Sequence, residues 1–112
     1  MTELIEVKMI VRTWHGCVPV GKAEAFSNHL QITGVEHARS IAGNLAAFVR
    51  QETQGDYEHF FLATYWQDIA AVRQFAGDDY HVAVTYPDDE KFELISDPYV
   101  FQHKVNSIQS FE

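Results

Sequence analysis

From Ile5 to Trp14 the chain alternates: Ile5, Val7, Met9, Val11 and Thr13 fall on one parity, Glu6, Lys8 and Arg12 on the other, where Ile10 and Trp14 also lie. A period of two predicts a strand, apolar on one face and mixed on the other, and His15-Gly16 is read as its end. Pro19 and Gly21 mark a turn. Across Lys22 to Ile32 the apolar positions Ala23, Phe26, Leu30 and Ile32 predict a helix. Thr33-Gly34 reads as a helix stop or kink, with one or two further turns over Val35 to Ile41. Gly43-Asn44 closes this region as a turn.

Leu45 to Glu52 predicts a second strand, Gln54-Gly55-Asp56 a hairpin connection, and His59 to Trp66 a third strand. The near-continuous apolar character of that third strand suggests that both its faces are covered. Asp68 is placed to cap a second helix carrying Ile69, Val72 and Phe75. Gly77-Asp78-Asp79 stops or kinks it, and Tyr80 to Val84 offers one more short turn. Tyr86-Pro87-Asp88-Asp89 is a loop signal, with Asp88-Asp89-Glu90 read as a solvated acidic run. The stretch to Pro98 reads as a short helical or irregular lid, and Tyr99 to Phe111 as the last strand. The order β-α-β-β-α-β is the split βαβ arrangement: α+β, ferredoxin-like, with a four-stranded antiparallel sheet and both helices on one face. Helices on one side leave the other side bare, yet the third strand has few polar residues, and Ile10 and Trp14 sit on the weaker face of the first. A partner sheet is the simplest cover, so a homodimer is expected.

Composition narrows the partners. A chain of 112 residues has room for a single domain, here 1–112. Eight basic residues against sixteen acidic ones give a charge of −8, and the Lys and Arg are scattered singly. Nucleic acid needs clustered cations, so neither nucleic acid nor an anionic membrane is an expected partner. No apolar run approaches the roughly 18 residues of a membrane span, and Met1 to Lys8 does not read as a signal peptide. Cys17 is the sole cysteine; it cannot form an internal disulfide, which fits a cytoplasmic location, and it reads as a plain small residue. His29 and His37 lie eight apart with Gly34 interrupting the register. No HxxxH, HxxE or CxxC spacing appears, so no metal site is expected. Glycine-rich phosphate loops and a nucleophile elbow are absent too.

The stretch Ile10 to Gly16 (IVRTWHG), with Gly43-Asn44, Tyr65-Trp66, Phe75 to Asp79 (FAGDD) and Tyr86-Pro87-Asp88-Asp89, resembles the antibiotic biosynthesis monooxygenase domain family over nearly the whole chain, Ile5 to Ile108. The resemblance implies a dimeric α/β barrel. It also implies one of several chemistries: cofactor-independent quinone-forming oxygenation, haem degradation, or action on small signalling molecules. The haem-degrading branch fits poorly. No Asn lies between Ile5 and Trp14, Phe75 stands where that branch has Trp, and Thr85 stands where it has His, with His81 displaced from that position.

Chemistry-bearing candidates follow from position. Trp66 ends the third strand beside the second helix, where an indole can stack on a flat ligand or simply seal the junction. Trp14 and His15 end the first strand, and a neighbouring last strand brings His103 toward them; paired imidazoles can serve as base and acid. Tyr80, His81 and Tyr86 flank the segment after the second helix. A cofactor-free oxygenase needs a base and a dry aromatic pocket. The expected catalytic residues are therefore His15 and His81, in a pocket lined by Trp14, Trp66, Phe75, Tyr80, Tyr86 and His103. The expected activity is oxidation of a small aromatic or polyketide-like molecule without a cofactor; the alternative is a non-catalytic dimer that binds a small hydrophobic metabolite.

Overall fold

The expected elements follow in the expected order in a computed structural model that describes the backbone of residues 2–111 and the side chains of residues 9–105. They are β1 (Thr2–Pro19), α1 (Ala23–Leu30), α2 (His37–Ser40), β2 (Asn44–Gln54), β3 (Tyr57–Trp66), α3 (Ile69–Ala76), β4 (Ile95–Ser96) and β5 (Phe101–Phe111). The side-chain faces expected for 2–8 and 106–111 lie outside the described residues. The sheet runs β2-β3-β1-β4, with β5 pairing β1 beside β4, and every pairing is antiparallel. This is the ferredoxin-like arrangement with one short strand added, five in all. Asp68 caps α3 by accepting from the Ala71 amide at 2.9 Å, and Gly77 ends it at φ 82°.

Two expectations are corrected. β1 does not end at His15-Gly16, because Gly16 pairs with Phe60 on one side and Ser96 on the other and both ladders continue past it. Thr33-Gly34 does not stop the helix: Gln31–Glu36 continues as a π-helical segment joining α1 to α2. There the Gly34 backbone lies so close to β3 that an added Cβ would stand 2.9 Å from Leu62 Cδ2. The short turn expected at Tyr80 is present, with the Val82 amide donating to the Asp79 carbonyl at 3.1 Å; the chain then runs extended, and Val82 bridges to Tyr99.

The faces of β1 are also the reverse of the expectation. Ile10, Arg12, Trp14, Gly16 and Val18 share the side on which the helices pack, opposite Trp66, Thr64, Leu62, Phe60 and Glu58 of β3. Ile10 and Trp14 are thus covered by this chain's own helices and need no second subunit. Along β3, buried residues alternate with half-buried ones, so only one face is fully covered. The other face presents His59, Phe61, Ala63 and Tyr65, with Phe48 and Phe101 at 59% and 82% exposure on flanking strands.

Candidate functional site

Two hydrophobic clusters fill the space between sheet and helices. One gathers Ile10, Ala38, Trp66, Val72 and Phe75; the other gathers Val18, Phe26, Leu30, Val35, Phe60 and Leu62. Between them, in the β1–β3 register, comes the polar pair Arg12–Thr64. Packing cannot close over a guanidinium as it does over aliphatic carbon, and a pocket opens at this seam. About 490 Å³ of atom-free space lies within it when the open solvent at its mouth is included, so it is a narrow cleft between the two clusters. Arg12, Trp14, Leu62 and Thr64 form its floor, and Phe26, Leu30, Thr33 and Gly34 its roof. Phe75, Tyr86 and Asp89 stand on its sides. Gly16 helps shape the floor: a Cβ there would meet Trp14 Cζ2 at 2.5 Å, so only glycine lets the indole lie back over the strand. Trp14 Nε1 donates to Ser96 Oγ at 2.8 Å.

Arg12 is 3% exposed. Its guanidinium donates to the carbonyls of Tyr80 and of Val82, the latter at 3.0 Å, and sits 5.8 Å from the centre of the Phe75 ring. Among the described residues no carboxylate pairs with it. Burial pulls its pKa down to about 10, against a smaller upward pull from Tyr86.

The side wall is fastened to the helices by four polar groups. Tyr86 OH donates to the Thr33 carbonyl at 2.7 Å, so His37 Nδ1–H donates to the same phenol oxygen, also at 2.7 Å. His29 Nε2–H donates to Asp89 Oδ1 at 2.9 Å, and Asp89 Oδ2 accepts from the Tyr86 amide at 2.8 Å. Burial, reinforced by the Asp89 charge, pushes the Tyr86 phenol up to about 12, so it stays protonated at neutral pH. The turn Pro87–Phe92 is thereby latched to the rod formed by α1, the π-helical segment and α2.

The sequence-predicted residues divide. Trp14, Phe75 and Tyr86 line the pocket together. Trp66 is fully buried beneath it, packed on Phe75 with ring centres 5.3 Å apart, and its Nε1 donates to Thr64 Oγ1 at 2.8 Å. Tyr80 serves the site through its carbonyl, which accepts from Arg12, while its ring packs beside Arg73. His81 is exposed. His103 is exposed on the open sheet face opposite Val11, not beside His15. His15 also lies on that open face. Its Nδ1 meets Asp97 Oδ2 at 3.0 Å, and its Nε2 meets His59 Nδ1 at 2.9 Å. Cys17 is half-buried nearby, its pKa raised by burial and then by Asp97.

Sequence reasoning missed Arg12, Thr33 and Asp89 in the lining and His29 and His37 behind it. Arg12 carried a signal: a lone cation between Ile10 and Trp14 on a parity that also holds large apolar residues. Asp89 carried another, standing three residues after Tyr86 with Pro87 between, as in a helix-start box whose acid reaches back to the first amide. Read as a solvated run, it is instead 16% exposed at its side chain and paired with His29.

No protein-family profile matches the chain, and no curated protein matches it. Its fold is similar to solved structures. Protein SO0527 from Shewanella oneidensis superposes with a TM-score of 0.63 at 17% identity, covering 94% of this chain and 97% of that one. PA3566 from Pseudomonas aeruginosa gives 0.51 at 15%, covering 91% and 95%. A candidate antibiotic biosynthesis monooxygenase from Bacillus cereus gives 0.49 at 16%, covering 91% and 86%. At these identities the likeness is one of fold.

Proposed function

We propose that the protein is a homodimeric enzyme that oxygenates a small aromatic or polyketide-like molecule without a cofactor, in the pocket between sheet and helices. The observation that carries this reading is the pocket itself, a cavity walled by Trp14, Phe26, Phe75 and Tyr86 with Arg12, Thr33, Thr64 and Asp89 as the further polar groups in its lining. The resemblance of the chain to antibiotic biosynthesis monooxygenases supports the reaction class. In such a reaction the substrate loses a proton to become a carbanion, which adds dioxygen to give a hydroperoxide. Loss of water then leaves a carbonyl, so a CH2 group and O2 become C=O and H2O, and the substrate supplies all four electrons.

Neither His15 nor His81 reaches the pocket, so the base is reassigned. Asp89 lines the wall with a carboxylate held in place by His29 and the Tyr86 amide, and is the group we assign to take the proton. Tyr86, kept protonated, positions rather than deprotonates. The open sheet face, with Phe48 and Phe101 exposed, supports the homodimer: a second copy of the same face is the simplest cover for it.

Oxygen uptake by purified protein with anthrone-like or dihydroxynaphthalene substrates tests the reaction. Consumption above a denatured control, lost in Asp89→Asn, is expected; no consumption across the series counts against it. A non-catalytic binder of the same ligands is the second reading, favoured by the placement of both expected imidazole bases outside the pocket. It is distinguished by binding without turnover.

A further inference from the structure

The guanidinium of Arg12 is a buried cation whose protein partners are neutral. Taking a full charge out of water is costly unless an opposite charge or a complete set of hydrogen bonds replaces the lost hydration. Arg12 has two carbonyls, and a guanidinium fork offers more donors than two. The other groups nearby do not complete it. Asp89, the sole carboxylate among the lining residues, is engaged by His29 and by the Tyr86 amide. Gln102 lies directly across from Arg12 in the β1–β5 register, yet its amide oxygen is buried without a hydrogen-bond partner among the described residues. The cation is held rigidly by the backbone of the Tyr80–Val82 segment and lines the cavity, with Phe75 under it and Trp14 next on the same strand face.

We propose that Arg12 is the docking point for an anionic oxygen, and that the pocket therefore takes a planar aromatic acid: an arene bearing a carboxylate, or an ionised phenol or enol. The inference rests on reading the cavity as a small-molecule site, and it adds the charge of the ligand. A planar fork matches a carboxylate with two parallel bonds and an enolate or phenolate oxygen with one or two. In a site shielded from water such a contact discriminates strongly by charge. It also favours a substrate in its deprotonated form, the form that reacts with dioxygen.

Calorimetric titration in oxygen-free buffer reads the binding separately from turnover. The probes are two matched pairs: 2-naphthoate against 2-naphthamide, and 4-nitrophenolate against 4-nitroanisole. The expected result is that at least one anion binds about 10-fold to 100-fold more tightly than its neutral partner. Which pair shows it distinguishes carboxylate from phenolate. Arg12→Met is expected to erase the preference and Arg12→Lys to keep part of it; should Arg12→Met fail to fold, the pairs measured on the natural protein decide alone. Equal affinity for anion and neutral partner overturns the role of Arg12 while leaving the pocket reading intact. Failure of every compound to bind overturns both. Anion-selective binding with no oxygen uptake keeps the role of Arg12 and removes the oxygenase.

Discussion

The same strands build two unlike faces. On the helix side, β1 and β3 place Ile10 against Trp66 and Trp14 against Leu62, and the one polar row between them becomes the floor of a cavity. On the other side they place His15 beside Phe61 and His59, with Phe48 and Phe101 left exposed. Of the imidazoles the sequence put forward, His15 and His103 went to the second face and His81 to an exposed turn; the cation that the pattern submerged went to the first. Polar residues on a covered face are rare and so carry information, whereas polar residues on an open face need no special reason.

The comparison can be broken most sharply from the open side. Phe48→Asp with Phe101→Asp is expected to abolish the proposed dimer at micromolar concentration in a sedimentation experiment, since buried unpaired carboxylates are not tolerated in an apolar contact. A persistent dimer places the contact elsewhere. On the covered side, Trp66→Ala is expected to lower stability by about 3–5 kcal/mol in a denaturant titration, because a large, fully buried side chain leaves a cavity. A loss below about 1 kcal/mol means that the clusters beneath the helices are not the core.

A smaller effect is expected from Tyr86, and only at alkaline pH. The folded protein holds this phenol at about 12, above the value of about 10 for a free tyrosine. Its contribution to stability is therefore complete below about pH 10 and is lost as the pH rises from there through about 12. Ultraviolet titration should show one of the five tyrosines ionising late, and Tyr86→Phe should remove that late step. His15→Ala is expected to change ligand affinity in the pocket by less than about twofold, as the two sites lie on opposite faces of the sheet. A larger change couples the faces. The smallest effect concerns Glu58, whose carboxyl is held below its ordinary value by the Thr53 hydroxyl first and the Gln51 amide second. Its contribution is present above the ordinary carboxyl range and fades as the pH falls through the lowered value, so Glu58→Gln should flatten the acid side of a stability profile slightly.

Much of this architecture was legible in the residues because strands and helices announce themselves by period. The alternation around Val11, the Phe26–Leu30 spacing and the Asp68 cap each named its element. The faces were not legible. Counting apolar residues puts Met9, Val11 and Thr13 inward, yet side-chain volume decides, and Trp14 with Ile10 fills more of the core than the smaller parity. The site was legible in its aromatic walls, Trp14, Phe75 and Tyr86, because large rings have few places to go. It was not legible in its polar members. His29 meets Asp89 and His37 meets Tyr86 from a helical rod that carries a widened segment between the two imidazoles, and Gly34, read as an interruption, sits inside that segment.

That widened segment has an evolutionary consequence. Each residue added to or removed from a helix turns everything beyond it by about 100°. Deleting one position between Leu30 and His37 is expected to swing His37 away from Tyr86 while His29 keeps its grip on Asp89, loosening one corner of the cavity rim and leaving the sheet untouched. Insertions and deletions here can thus act as a coarse dial on what the cavity admits, available to descendants of this chain without any change to the residues that line it.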